Sequence, residues 1–114
     1  SDSGQFVLSS SSLSTINKDI LPETFALHQN YPNPFNPITS IRYDLPEDGL
    51  VNITIYDMMG RIVKTLVNSS QTAGYKSIVW DTVDDRGHSV SAGLYIYSIT
   101  AGNYRANKKM ILLK

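Results

Sequence analysis

From Pro37 onward the chain alternates. Ile41, Tyr43 and Leu45 are interleaved with Ser40, Arg42 and Asp44, and Val51, Ile53 and Ile55 with Asn52 and Thr54. A period of two places apolar side chains on one face of an extended strand, whereas a helix needs them about every 3.6 residues, and no segment sustains that longer period. This confines the chain to β-structure. Turn signals at Pro46-Glu47-Asp48-Gly49, Met59-Gly60 and Gly102-Asn103 cut the runs, and Ile62–Val67, Tyr75–Trp80, Leu94–Thr100 and Tyr104–Lys114 supply further ones. About seven strands, with turns at roughly 8–12-residue intervals, predict an antiparallel two-sheet β-sandwich. Leu94–Thr100 is apolar on both parities (Tyr95, Tyr97 and Ile99 against Leu94 and Ile96), which predicts a central strand. Lys76, Ile78 and Trp80 share a parity, so Trp80 is expected in the core or at its rim. Gly60 suits a hairpin position with positive φ, and Gly93 a close approach or bulge at a strand start.

All five prolines, Pro22, Pro32, Pro34, Pro37 and Pro46, precede residue 47. Proline lacks the amide donor a sheet ladder needs, so this half is expected to hold turns and edge strands. Residues 1–20 are Ser-rich and read as a flexible linker. Phe6-Val7-Leu8 is its apolar exception, the tail of a preceding domain or a weakly docking segment. Residues 21–114 read as one β-sandwich domain, of a size that can bury a core without a metal or disulfide staple. Lys and Arg number 10, as do Asp and Glu, so formal net charge is zero. That balance argues against nucleic acid as a partner and against a polybasic membrane anchor. The absence of cysteine removes thiol catalysis and disulfides. No stretch reaches the roughly 20 apolar residues of a membrane helix. No basic-then-apolar leader opens the sequence, so an exported module would be a fragment whose signal lies elsewhere.

Little in the sequence resembles catalytic machinery, and the expectation is a non-enzyme. The histidines are His28 and His88, and no Gly-x-Ser-x-Gly elbow accompanies the serines. Asp81, Asp84 and Asp85 cluster in one polar loop, Asp81–Ser89. Aspartates bond their own backbone in turns, so turn formation is the first expectation; calcium, which takes carboxylate and carbonyl oxygens, is the second, on the same three residues. Otherwise no cofactor is expected, and no Gly-rich phosphate loop occurs. Leu21-Pro22-Glu23-Thr24 carries four positions of the Gram-positive sortase signal, but Phe25 stands where glycine is required. Asn30-Tyr31-Pro32-Asn33-Pro34-Phe35-Asn36-Pro37 restricts the backbone without periodic burial. It is either a rigid loop pinned by Tyr31 and Phe35 or a presented recognition loop.

Four blocks in order carry a resemblance. They are the Leu-x-Gln-Asn-Tyr-Pro-Asn-Pro-Phe-Asn-Pro run of Leu27–Pro46, the Val-x-Ile-x-Ile-Tyr-Asp run of Val51–Val63, Trp80-Asp81 with Asp84, Gly87 and Ala92–Tyr97, and the closing Lys108–Lys114. Together they resemble the type A C-terminal sorting domain of the type IX secretion system of Bacteroidetes and related phyla. The middle blocks also resemble the immunoglobulin-like domain of the flagellar hook-capping protein. The resemblance implies an immunoglobulin-like antiparallel sandwich that catalyses nothing. It implies a cargo domain upstream in the same polypeptide. It also implies recognition by an outer-membrane translocon and a shuttle protein, with transit through the periplasm to the cell surface or medium. Cleavage by a surface protease is expected in the linker before the sandwich.

The residues expected to carry recognition are Asn30, Pro32, Asn33, Pro34, Phe35, Asn36, Pro37, Gly93, Lys108, Lys109, Met110 and Lys114. The last strand, with lysines at its ends, is expected to be an edge to which a receptor adds a strand, or through which two copies pair. The competing reading is a structural or adhesive immunoglobulin-like spacer, with Tyr31, Tyr75 or Tyr104 exposed to stack on carbohydrate.

Overall fold

Alternation becomes burial strand by strand in the computed structural model, which describes residues 21–113. The Ser-rich stretch 1–20 and Lys114 lie outside the described residues. Among the described residues seven strands form: β1 (Ala26–Leu27), β2 (Thr39–Leu45), β3 (Gly49–Asp57), β4 (Ile62–Gln71), β5 (Gly74–Trp80), β6 (Gly93–Ala101) and β7 (Tyr104–Leu112). They build two antiparallel sheets, one ordered β1-β2-β5 and the other β4-β3-β6-β7. The chain is an all-β sandwich of the immunoglobulin-like kind.

Ile41, Tyr43 and Leu45 of β2 face Val51, Ile53 and Ile55 of β3 and Tyr95, Tyr97 and Ile99 of β6 across the core, all buried. β6 lies between β3 and β7, as its double apolar parity predicts. Trp80 is fully buried in the core, and its Nε1–H donates to the Val83 carbonyl at 3.0 Å. Its ring meets Tyr95 edge-on at 5.5 Å and Phe35 at 5.9 Å, separations at which aromatic pairs attract beyond simple burial.

Several expectations change. The proline-rich half contains a central strand, because β2 runs between β1 and β5; Pro37 and Pro46 flank it and leave its amides free to pair. The polar segment after Val67 is largely strand, since β4 continues to Gln71. Gly60 takes φ 84° at the β3–β4 turn, as a hairpin requires. Gly93 has φ 148° with nothing within 4 Å of the position a Cβ would occupy, so backbone conformation rather than close approach requires glycine there.

Asp57 secures the β3–β4 turn. Its carboxylate accepts the amides of Arg61 at 3.0 Å and Met59 at 2.9 Å, and the Arg61 Nε–H at 2.9 Å. The Arg61 amide is the largest of the influences that hold this carboxyl below the usual aspartate range. A lowered folded-state pKa gives a contribution that is complete above the ordinary aspartate value and is lost as pH falls through the lowered one.

The parity of β5 gives a direct test. Trp80→Ala should cost about 3–5 kcal/mol through lost burial and the cavity it leaves. Val79→Thr, next door on a half-exposed outward position, should stay within about 0.5 kcal/mol. Urea denaturation of both variants reads the difference.

Candidate functional site

Two segments expected to carry recognition, Asn30–Pro37 and the last strand, are far apart in sequence and adjacent in space. The junction begins on β6. Tyr97 sits on the buried parity of a central strand, where its ring packs in the core but its hydroxyl needs a partner. That hydroxyl donates to the His28 carbonyl at 2.6 Å and accepts the Asn30 amide at 2.8 Å. Burial pushes the phenol up to about 12, and the Asn30 amide opposes that shift.

Asn30 is itself buried, and its amide group is fully used. Nδ2 donates to Thr39 Oγ1 at 3.0 Å and to the Pro32 carbonyl at 3.2 Å, while Oδ1 accepts Gln29 Nε2 at 2.7 Å. Thr39 returns to the Pro32 carbonyl at 2.8 Å. A satisfied buried polar group of this kind costs little to bury and fixes one loop geometry. The peptide bonds before Pro32, Pro34 and Pro37 are cis. Pro32, Pro34, Asn36 and Pro37 are exposed, whereas Phe35 is 1% exposed and lies against Trp80.

Phe35 also joins the four-stranded sheet. It forms a parallel bridge with Leu112: the Phe35 amide donates to the Ile111 carbonyl at 3.0 Å, and the Leu113 amide donates to the Phe35 carbonyl at 2.8 Å. Asn33 Oδ1 accepts the Ile111 amide at 2.9 Å, and Gln29 Nε2 donates to the Lys109 carbonyl at 2.7 Å. The outer edge of β7 over Lys109–Leu113 is therefore occupied by the chain's own loop. This corrects the expectation of an open edge: β7 is last in its sheet, but these backbone groups are not free.

The lysines also sit differently than expected. β7 starts at Tyr104, so Lys108 and Lys109 are mid-strand. Lys108 is half-buried opposite Tyr97, Lys109 is exposed opposite Ile96, and Met110 is fully buried opposite Tyr95. Gly93 pairs with Leu112 at the other end of the same ladder. Tyr31 and Tyr75 are exposed, but Tyr104 is half-buried, stacked on Phe25 at 5.2 Å and 10°.

The acidic loop is built from its own turns. Asp84 Oδ1 accepts the amides of His88 and Arg86, each at 2.9 Å, and the His88 amide is the main influence holding its carboxyl below the usual range. Asp81 Oδ1 accepts the Val83 amide at 3.3 Å. Asp85 does something the sequence did not suggest: its amide donates to the Val63 carbonyl at 3.0 Å and its Oδ1 accepts the Thr65 amide at 3.2 Å, covering part of the β4 edge. Among the described residues no three His, Asp or Glu side chains converge as metal ligands. Gln29, Thr39 and Tyr97 were also missed as partners in the junction. Only Tyr97 carried a signal: a tyrosine on the buried face of an apolar strand must find a partner for its hydroxyl.

Two variants test the junction. Tyr97→Phe removes both hydroxyl bonds and should cost about 1–3 kcal/mol at neutral pH. A phenol raised from 10 to about 12 contributes stability that is complete below pH 10 and is lost as pH rises through about 12. The wild-type protein should lose stability across that window; the variant should lose less, with a residue from Tyr43, whose phenol burial also raises. Asn33→Ala should leave the fold intact and speed Ile111 amide exchange roughly fivefold, the effect of losing about 1 kcal/mol locally. Hydrogen-exchange mass spectrometry resolves it.

Known proteins share this architecture. A family model described as the FlgD Ig-like domain matches residues 38–104. No curated protein sequence matches the chain. Among solved structures, dimeric latent PorU from Porphyromonas gingivalis aligns with a TM-score of 0.64 at 22% identity, covering 81% of this chain and 10% of PorU. PorZ, described as an essential surface component of the type IX secretion system of the same bacterium, aligns with a TM-score of 0.52 at 15% identity, covering 81% of this chain and 12% of PorZ. FlgD from Xanthomonas campestris, described in connection with flagellar hook capping, gives 0.54 at 23% identity, covering 85% of this chain and 72% of FlgD. This chain thus spans only about a tenth of the length of PorU or PorZ, and at these identities the likeness is one of fold. The family match takes in more than half of the 114-residue sequence, and the chain belongs to the FlgD Ig-like domain family.

Proposed function

We propose that this domain is a type A C-terminal sorting domain of the type IX secretion system: a non-catalytic address that directs an attached cargo protein across the outer membrane to the cell surface or medium. The observation that carries the proposal is the junction between two segments that lie outside the family match. The FlgD Ig-like match stops short of both Asn30–Pro37 and Arg105–Leu113. The two segments meet each other, through Phe35 and Asn33 on Ile111–Leu113, and the neighbouring Gln29 bonds the Lys109 carbonyl. A scaffold used only as a spacer has no need of a second segment bolted to its last strand. The folds of PorU and PorZ, the latter named as part of that secretion system, support the same reading.

On this reading the partners are the outer-membrane machinery, its shuttle protein and the cargo upstream. The domain itself performs no chemistry and needs no cofactor. Among the described residues, no helix is long and apolar enough to cross a membrane.

The test is a fusion of residues 1–114 behind an inert reporter carrying an inner-membrane export signal. The reporter should reach the surface or medium in a host with the secretion system and stay periplasmic in a host lacking it. Deleting Lys108–Lys114 should strand it in the periplasm. Equal release from both hosts would favour the spacer reading, and a sugar array would then examine exposed Tyr31 and Tyr75.

A further inference from the structure

β5 is an edge strand, paired with β2 on one side only. Which of its backbone groups face outward follows from its neighbour. Ser40 exchanges both backbone bonds with Tyr31, and the Arg42 carbonyl accepts the His28 amide, so the even residues of β2 turn their backbone groups away from β5. Thr39, Ile41, Tyr43 and Leu45 therefore bond Trp80, Ile78, Lys76 and Gly74, their partners in an unbroken register. The amides and carbonyls of Tyr75, Ser77 and Val79 are left pointing to the open side. Among the described residues no loop or side chain bonds them, whereas the other edges are guarded in part. Asp85 takes groups on β4, Gln29, Asn33 and Phe35 take groups on β7, and β1 is two residues long. Edge strands usually carry a proline, a bulge or an outward charge against pairing. β5 has no proline and no bulge, and its one charged side chain, Lys76, lies on the inward parity with Nζ on Thr72 Oγ1 at 3.0 Å.

The edge is also complementary to itself. A twofold pair of copies sets β5 antiparallel to β5 about one central residue. Centred on Ser77, the pairing places Tyr75 opposite Val79 of the second copy, Ser77 opposite Ser77, and Val79 opposite Tyr75. Every outward backbone group then has a partner, two bonds to each facing pair. Tyr75 is 64% exposed and Val79 53%, and an aromatic ring facing a β-branched side chain is a favourable cross-strand pair. Lys76 meets Ile78. Neighbouring registers are poorer. A centre at Lys76 opposes two lysines and puts Val79 against Ala73, whose amide Asp48 Oδ1 already holds at 2.8 Å. A centre at Ile78 puts Tyr75 against Asp81, beyond the end of the strand. Formal net charge is zero, so two copies meet without net repulsion. Arg42, in register with Ser77, would stand about 14 Å from its counterpart, three strand spacings and beyond the screening length at physiological salt.

We infer that β5 is a dimerisation edge, through which two copies of this chain join their three-stranded sheets into one six-stranded sheet centred on Ser77. Backbone groups alone would accept any strand; Tyr75 and Val79 add the selection, since each is the other's complement. One short ladder belongs to the small class of interfaces, below about 1,200 Å², so the dimer forms and dissociates with concentration. The inference is independent of the export-address reading.

Sedimentation velocity of the 1–114 chain, up to about 1 mM, reads the association. Tyr75→Lys/Val79→Lys places like charges opposite each other and should weaken it at least roughly tenfold. Tyr75→Lys/Val79→Glu in one chain places opposite charges across the same dyad and should retain it. Both positions are exposed, thermal melts establish folding, and Tyr75→Glu/Val79→Glu replaces the lysine pair if its melt falls. Amide exchange by NMR should slow with concentration at Tyr75, Ser77 and Val79 and not at Lys76 or Ile78, which β2 already bonds. A wild-type chain monomeric throughout would overturn the dimer and leave the edge to a strand of another protein. A dimer that the lysine pair leaves intact, with those three amides unchanged, would place the contact elsewhere and overturn it as well.

Discussion

Phe35 is held from two directions at once. Its ring is part of the aromatic group formed with Trp80 and Tyr95, and its backbone is bonded on both sides to the last strand. The core and the sheet edge therefore share one residue. If the ring leaves, Trp80 loses a wall; if the backbone bonds leave, the ring has no fixed route into the core. The Tyr97 hydroxyl and the Asn30 amide network set the path of the chain so that Phe35 arrives there. Asn30–Pro37 and β7 are in this sense one structural element made of two distant pieces of sequence.

That arrangement explains what the sequence revealed and what it withheld. Period-two alternation is a local property, and it located the inward residues of β2, β3 and β6 correctly, together with Trp80 and the central place of β6. The proline count misled, because a central strand such as β2 needs only that its own residues lack proline. The junction was not legible in detail, since its bonds link residues 67 to 80 positions apart and no period reports on them. Asn33, Gln29 and Asp85 look in sequence like turn formers or solvated polar residues. In the fold each caps a strand edge. Edge protection by side-chain amides and carboxylates leaves no compositional mark comparable to a proline or a run of lysines.

The domain thus combines a shared sandwich with one local junction. The sandwich, two sheets over a core of alternating apolar residues, is the fold shared with FlgD. The junction of Asn30–Pro37 with Lys109–Leu113 occupies part of one edge of the four-stranded sheet. Immunoglobulin-like sandwiches serve many ends, so function has to be argued from such local features rather than from the architecture.

The bridge between Phe35 and Leu112 has a consequence for synthesis. A segment made early waits for a strand made late, and domains can complete their folding only when the last contributing element has emerged. Until β7 clears the ribosome, Trp80, Tyr95 and the inward face of β6 have no completed wall on that side. Local hairpins such as β3–β4 can form first, but closure is postponed to the final residues of the domain.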